Sequence, residues 1–557
     1  MEGKTKSGKL KKIIIAIIAV IVVAAIIIGI LVATGKLEFN FSKKSKMVAG
    51  VERLGETITE PLDKISETAE KNGTTVKVLE KMNADSAMEV STEITANVDK
   101  ISSPEFSSSD KSAIKTATEV INDSKLNMNF RYDGNESIYA KIDGSVGSES
   151  VSGEAVYDGK QVGVRSEELN STWLTISKDD IEELMEENGI TTSTLKLDEM
   201  LTESTAQFDK LAKAVEIDEK TRKKITKRYK DVLKDYINDK SKDIESEKDK
   251  VNVDGKSKSC SKLTLELDDN DLKDLLKAYV KEFRKDEDMK KILTDVFDVY
   301  ADIIEESGEK KTANQLRGAL DIVYDNLDSI TDQIDEISFD GKVKLVVYAT
   351  TTNVYRTDII VEAEGTAIKL ETTFNKETTV TDISMSNNGV NIKVGTLTLT
   401  STDDTLGLRF ELNKSLLNMA GMSGDKYYFD IKYKNSKNKA EVIFDGKAGE
   451  YGYAKLSSVT NIDKNTDSEY ANTTSFTIDV DVPEYLTAKM SLTMKNNIKL
   501  GNVSIPSIKD SVDMTDEKAV EEYGKEAEEN AKALVEKFSK VKSLAPLMED
   551  LVDEIGL

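Results

Sequence analysis

Three oxygen-bearing residues at alternate positions, Asp463-x-Asn465-x-Asp467, have the opening spacing of a calcium loop. Such a loop sets its first, third and fifth side chains around one hard cation. It also needs glycine at the sixth position and a bidentate glutamate at the twelfth, where this chain has Ser468 and Thr474. Asp463, Asn465 and Asp467 are therefore weak metal candidates, weighed against an ordinary polar turn. A second acidic run, Asp268-Asp269-Asn270-Asp271, directly precedes an apolar helical pattern from Leu272. Carboxylates there cap exposed amides and favour the helix dipole, so capping is preferred to cation binding.

Catalytic inventory is thin. The chain has no histidine and one cysteine, Cys260. That removes histidine-based triads, histidine-ligated zinc or haem, imidazole bases, thiolate clusters and intrachain disulfides. With 102 acids, some carboxylate pair always falls at a glycosidase separation, so such a pair carries no information. There is no phosphate-cradling glycine loop, nucleophile elbow or Ser-x-x-Lys. The expectation is a non-enzymatic protein with no catalytic residue and no cofactor; a carboxylate-pair hydrolase is the weakest alternative. Net charge is −25, which repels nucleic acid and excludes it as a partner.

The elements that position these residues begin with an apolar run. Ile13 to Thr34 are 22 uncharged residues preceded by Lys4, Lys6, Lys9, Lys11 and Lys12. A bilayer core of ~30 Å needs ~20 residues at 1.5 Å each, so one crossing is expected. The run exceeds the ~7–15 apolar residues of a cleaved signal, and no lipidation cysteine follows it. A signal anchor at 13–34 is expected, with a Lys-rich cytoplasmic tail at 1–12. The large domain then lies outside the cell membrane, because Lys9, Lys11 and Lys12 abut the span on one side and only Lys36 on the other.

Beyond it, Met47, Val51, Leu54, Ile58, Leu62 and Ile65 recur at helical spacing. Strand alternation follows at Met88–Val98, then a short helix with Ile114, Ala117 and Ile121. Residues 126 to 176 read as a meander punctuated by Asp133-Gly134, Asp143-Gly144 and Asp158-Gly159. Ser177, with Asp180 three residues on, caps another helix. Helices are expected at about 196–245, 270–305 and 312–334. From 337 to 510 the period is two, as in Ile368, Leu370, Thr372, Phe374 and Phe476, Ile478, Val480, Val482. Asp254-Gly255, Asp340-Gly341 and Asp445-Gly446 add turn signals. A C-terminal helix with Val520, Tyr523, Ala527, Ala531, Leu534 and Phe538 is expected to pack back on its own sheet.

The fold class read from this order is α+β: an N-terminal transmembrane helix, then two lobes of curved antiparallel β-sheet packed with long α-helices. The first lobe covers 35–269. A helical segment at 270–335 opens the second, 336–511 forms its antiparallel β-rich part, and 512–557 its C-terminal helices. The Lys-rich tail, single span and Asp-Gly-punctuated meanders resemble uncharacterised membrane-anchored surface proteins of low-GC Gram-positive bacteria. Tyr157-Asp158-Gly159-Lys160 through Trp173-Leu174-Thr175-Ile176 also resembles lipoprotein carriers of LolA-like architecture. That resemblance implies a half-barrel sheet wrapped round an apolar cavity. The functional expectation is a membrane-anchored extracytoplasmic binding protein. It holds a lipid or other apolar ligand between sheet and helices, or meets a cell-envelope protein, and touches the lipid bilayer through residues 13–34. A structural or adhesive envelope protein with filled cores is the alternative.

Overall fold

A computed structural model of the chain describes residues 42–72, 74, 76–81, 86–181, 219–240, 242–306, 310–336, 341–422, 424, 426–545 and 547–548. In chain order, helix α1 (Lys43–Lys71) precedes strand β1 (Met88–Ser102) and helix α2 (Ser108–Asp123). A meander follows: β2 (Ser124–Tyr132), β3 (Ile138–Val146), β4 (Glu149–Tyr157), β5 (Gln161–Ser166) and β6 (Asn170–Ser177). Next come α3 (Glu219–Asp239), the hairpin β7 (Glu245–Val253) and β8 (Lys256–Leu267), then α4 (Asp269–Lys285), α5 (Glu287–Glu306), α6 (Lys310–Asp325) and α7 (Leu327–Glu336). Strands resume with β9 (Gly341–Ala349), β10 (Val354–Ala363), β11 (Thr366–Phe374), β12 (Thr378–Asn387), β13 (Val390–Ser401) and β14 (Thr405–Leu412). A short α8 (Lys414–Met419) leads to β15 (Tyr427–Ser436), β16 (Lys439–Ala448), β17 (Tyr453–Asn465), β18 (Glu469–Val482) and β19 (Leu486–Leu500). β20 (Ser511–Asp513) and α9 (Glu517–Ser539) close the described chain.

The expected fold class needs correction. Among the described residues strand outweighs helix, and the strands count as one 20-stranded sheet rather than one sheet per lobe. Long-range pairing is the cause. β1 bonds on one side to β2 and on the other to β19, setting Thr92 against Asn496, 404 positions later. The N-terminal meander thus continues the C-terminal one. The chain divides into two compact units, 1–67 with 205–428 and 68–204 with 429–557, instead of consecutive lobes.

The transmembrane part is also corrected. Among the described residues no helix is long and apolar enough to cross a membrane. The expected span, Ile13–Thr34, lies outside the described residues. The single-pass signal anchor and the cell-membrane localisation built on it are withdrawn.

In the first unit the strands run β7–β8–β9–β10–β11–β12–β13–β14, all antiparallel. Register sets Leu263, Leu265 and Leu267 beside Val347, Leu345 and Val343 on one face. Three helices fill that face. α3 contributes Ile225, Tyr229, Leu233 and Ile237 at i, i+4 spacing, α1 contributes Met47 and Val51, and α4 contributes Leu275 and Tyr279. Asp268 caps α4 and Asp271 returns the bond, so the acidic run does act as a cap.

In the second unit the order is β16–β17–β18–β19–β1–β2–β3–β4–β5–β6–β20, antiparallel except for β6–β20. A small core at one end holds Trp173, Tyr139 and Val156 beneath Ile505 and Ile508. The Ser107–Asp110 capping box starts α2, and Asn122 at its end donates to the Val98 carbonyl and accepts from the Val98 amide at the β1 bulge. Asn530 of α9 donates to the Leu169 carbonyl at 2.8 Å, docking that helix beside β6. Asp180 donates its amide to Ser177 Oγ at 3.1 Å, the expected cap.

Asp133-Gly134, Asp158-Gly159 and Asp254-Gly255 stand at turns with positive glycine φ. Asp143-Gly144 and Asp445-Gly446 lie inside β3 and β16. In β3 the turn falls later, at Gly147 with φ 61°, because Asp143 is held opposite Asn127 by the β2 register. Residue 340 of the remaining pair lies outside the described residues.

Candidate functional site

Alternation along paired strands decides which side chains share a face. In the second unit, Phe444, Leu456, Ile478 and Met490 lie side by side across β16 to β19. Phe476 and Leu492 form the neighbouring row and meet Ala96 of β1. Met494, Ile94 and Leu126 carry the face across to β2, Met128 and Ile142 to β3, and Val151 and Val164 to β4 and β5. Each of these residues belongs to one period-two set, so one sheet face carries apolar side chains on nine strands, interrupted by the bonded polar row Asn472, Asn496 and Thr92.

That face is open. Phe444, Leu456, Phe476, Leu492, Met128, Ile142, Val151 and Val164 are all exposed, from 36% for Leu492 and Met128 to 56% for Ile142. Isolated exposed apolar residues are ordinary, whereas an in-register field of them on one face is the kind of patch that marks binding. The first unit shows the contrast. Its helices cover the apolar face over β8–β10, and a methyl added at Gly50 of α1 would lie 2.3 Å from Val347 Cγ2. No ligand fits between α1 and β9. Further along the same face Met385 and Leu408 are exposed again.

The grooves lie on sheet surfaces and are lined mainly by residues with polar or charged side chains. The largest described, about 570 Å³, is floored by β1, β2, β3, β18 and β19 and opens opposite the apolar face. Two others, of about 420 and 320 Å³, are lined by residues such as Lys342, Glu362 and Glu364, and Lys393, Arg409 and Glu411. None of the three is an apolar void between sheet and helices.

Two groups of ionisable residues in the first unit are engaged in ion pairs. Arg356 Nε lies 2.5 Å from Asp358 Oδ1 and also pairs with Glu371, which stands opposite Asp358 on β11. Lys369 reaches Glu371 at 2.9 Å, and burial pushes its ammonium pKa below the usual lysine value. Both carboxylates are engaged by cations, so neither is free to act as acid or base. Burial pushes the Glu52 carboxyl up, but Glu52 faces Lys230 at 4.0 Å and lines none of the three grooves.

The calcium candidates do not converge. Asp463 Oδ2 accepts from Thr473 Oγ1 at 3.2 Å, and Asn465 Oδ1 accepts the Lys77 amide at 3.2 Å. A bulge after Ile462 separates their directions, and Asp467 lies in the exposed turn beyond β17. Among the described residues no group of three or more acidic or cysteine side chains could hold a metal ion. The tyrosines of β15 and β17 are engaged within the protein. Tyr427 is buried, Tyr428 lies under Arg409 at 4.0 Å, and Tyr453 donates to Asp479. What the sequence left unseen is the exposure of the apolar face, since periodicity tells which residues share a face but not what covers it.

No family model matches the chain, and no curated protein matches it. Among solved structures it has a distant likeness to a TodX monoaromatic hydrocarbon channel deltaS2 mutant. The likeness covers 77% of this chain and 94% of that one, at 7% identity and a TM-score of 0.12. At that score it carries no argument about fold or function.

Proposed function

We propose that this is a non-catalytic binding protein that takes an apolar or amphiphilic ligand of acyl-chain type on the open sheet face of its second unit. The observation that carries the reading is the field of eight exposed large hydrophobics in register from β16 to β5. Fully burying such a side chain contributes about 1.5–3 kcal/mol, and these are partly buried already, so each offers roughly 1 kcal/mol to a covering ligand. Several together offset the cost of immobilising one acyl chain. The ligand lies on the sheet rather than between sheet and helices, because helices fill the other apolar face where they cover it.

An environment-sensitive fluorescent fatty acid, titrated into the full chain, tests this. Phe476→Ser with Leu492→Ser removes two adjacent exposed contacts without opening a buried core. Saturable binding, weakened about tenfold or more by the pair, is the expected result. Absence of saturable uptake, or an affinity the pair leaves unchanged, contradicts it. The packed α1–β9 contact supports a second reading, a structural or adhesive protein with filled cores. That reading predicts no uptake.

A further inference from the structure

The opposite face of the second-unit sheet carries a different chemistry. Register places Ser91 of β1 beside Asn129 of β2 and Asn497 of β19, a row of three polar side chains on neighbouring strands. Glu93, Asn127 and Lys495 form the next row, and Lys141, Asp143 and Thr473 extend the two rows outward. These side chains line the groove of about 570 Å³.

Asn129 Oδ1 and Asn497 Oδ1 are buried and have no hydrogen-bond partner among the described residues. Each amide is fixed in direction by a carboxylate. Asn129 Nδ2 donates to Glu89 Oε1 at 3.0 Å, and the Asn497 side chain hydrogen-bonds the Glu469 carboxylate. A carboxylate only accepts, so each amide must turn its N–H₂ outward to it and its carbonyl the other way. Flipping either amide would set oxygen against oxygen. Two acceptors, flanking the Ser91 hydroxyl, are therefore left without a donor, and buried polar atoms in that condition call for an explanation.

The charges around them are already matched. Glu93 pairs with Lys125 and, at 2.7 Å, with Lys495; Glu89 pairs with Arg131 at 3.0 Å; Lys141 pairs with Glu154 at 3.3 Å. Asp143 accepts from Asn127 and Asp463 from Thr473. An ionic ligand would have to break one of these pairs. The groove's unused capacity is neutral: acceptors that want donors, a hydroxyl that can do either, and lysine N–H groups at the rim. Asn129 and Asn497 stand two strand spacings apart, about 10 Å, a span wider than one small hydroxyl compound such as glycerol.

We propose that this groove is a second binding site, for an uncharged polyhydroxylated ligand of oligosaccharide type, with Asn129, Ser91 and Asn497 as its floor. Entry of the ligand shifts the floor side chains enough to uncover the two amide carbonyls, so that its hydroxyls donate to them and accept from Ser91 and the rim lysines. No aromatic side chain lines the groove, so recognition rests on hydrogen bonds rather than stacking.

Isothermal titration of the full chain with neutral trisaccharides of glucose, mannose and N-acetylglucosamine tests it, beside a uronic-acid trisaccharide. Binding of at least one neutral trisaccharide is expected, little changed between 50 and 500 mM salt. Asn129→Leu and Asn497→Leu should each weaken it about tenfold. Ser91→Phe, which fills the floor and leaves both amides their carboxylates, should abolish it even where an asparagine variant fails to fold. Fatty-acid probe affinity should be unchanged in Ser91→Phe, which separates failure here from failure of the apolar-face reading. No neutral trisaccharide binding, preference for the charged sugar, or binding unaffected by Ser91→Phe would overturn the proposal.

Discussion

Glu89 shows how single side chains set up a face without being its ligand. The Asn129 amide, and then the Arg131 guanidinium, hold its carboxyl below the ordinary range although burial pushes it up. A carboxyl depressed in the fold stabilises it above the unfolded value of about 4.3, and that stability disappears as pH falls through the folded value. Thermal melts from pH 7 downward should therefore lose a small increment below about pH 4.3, and Glu89→Gln should flatten that part of the curve. A wild-type profile identical to that of the variant would contradict the pairing. Arg356 makes a stronger case, because Asp358 is only 1% exposed. Arg356→Met leaves that carboxylate with the more distant Lys369 at 3.7 Å, and should cost about 3 kcal/mol in denaturant unfolding. Cys260 is buried, and burial pushes its thiol up, so thiol reagents should label it only as the chain unfolds. Rapid labelling of the native protein would contradict that placement.

At the scale of elements, α1 is locked to the sheet by the absence of one methyl. Gly50 is buried, and Thr357 Oγ1 donates to its carbonyl at 3.2 Å. Gly50→Ala gains about 1 kcal/mol of helix propensity but drives a methyl into Val347, an overpacking that costs about 1–3 kcal/mol. Unfolding titrations should show net destabilisation of roughly 1 kcal/mol; a stabilised variant would mean that α1 does not sit this close. Strand faces such as Val343, Leu345, Val347 were readable from the sequence because a period of two is a local property. The β1–β19 pair was not, since nothing local to Thr92 points to Asn496. Asp143-Gly144 reads as a turn, yet the register with β2 overrides it. Asn129 and Asn497 were missed for the same reason: each is an unremarkable polar residue until β1 brings both beside Ser91. Acidic capping at Asp268, by contrast, depends on four adjacent residues and was legible.

For the molecule as a whole, the inventory without histidine directs attention from catalysis to surfaces. The Arg356–Asp358 and Lys369–Glu371 charges are paired, the helices fill the face they cover, and the second unit leaves eight large apolar side chains exposed opposite a groove of polar residues. The proposed function rests on this two-faced sheet. Native mass spectrometry of the full chain, purified from a lipid-containing host, is the most direct test. The account predicts a copurifying lipid in fixed stoichiometry that Phe476→Ser with Leu492→Ser strips away. A clean mass without ligand, and no uptake when fatty acids and phospholipids are offered, would contradict it.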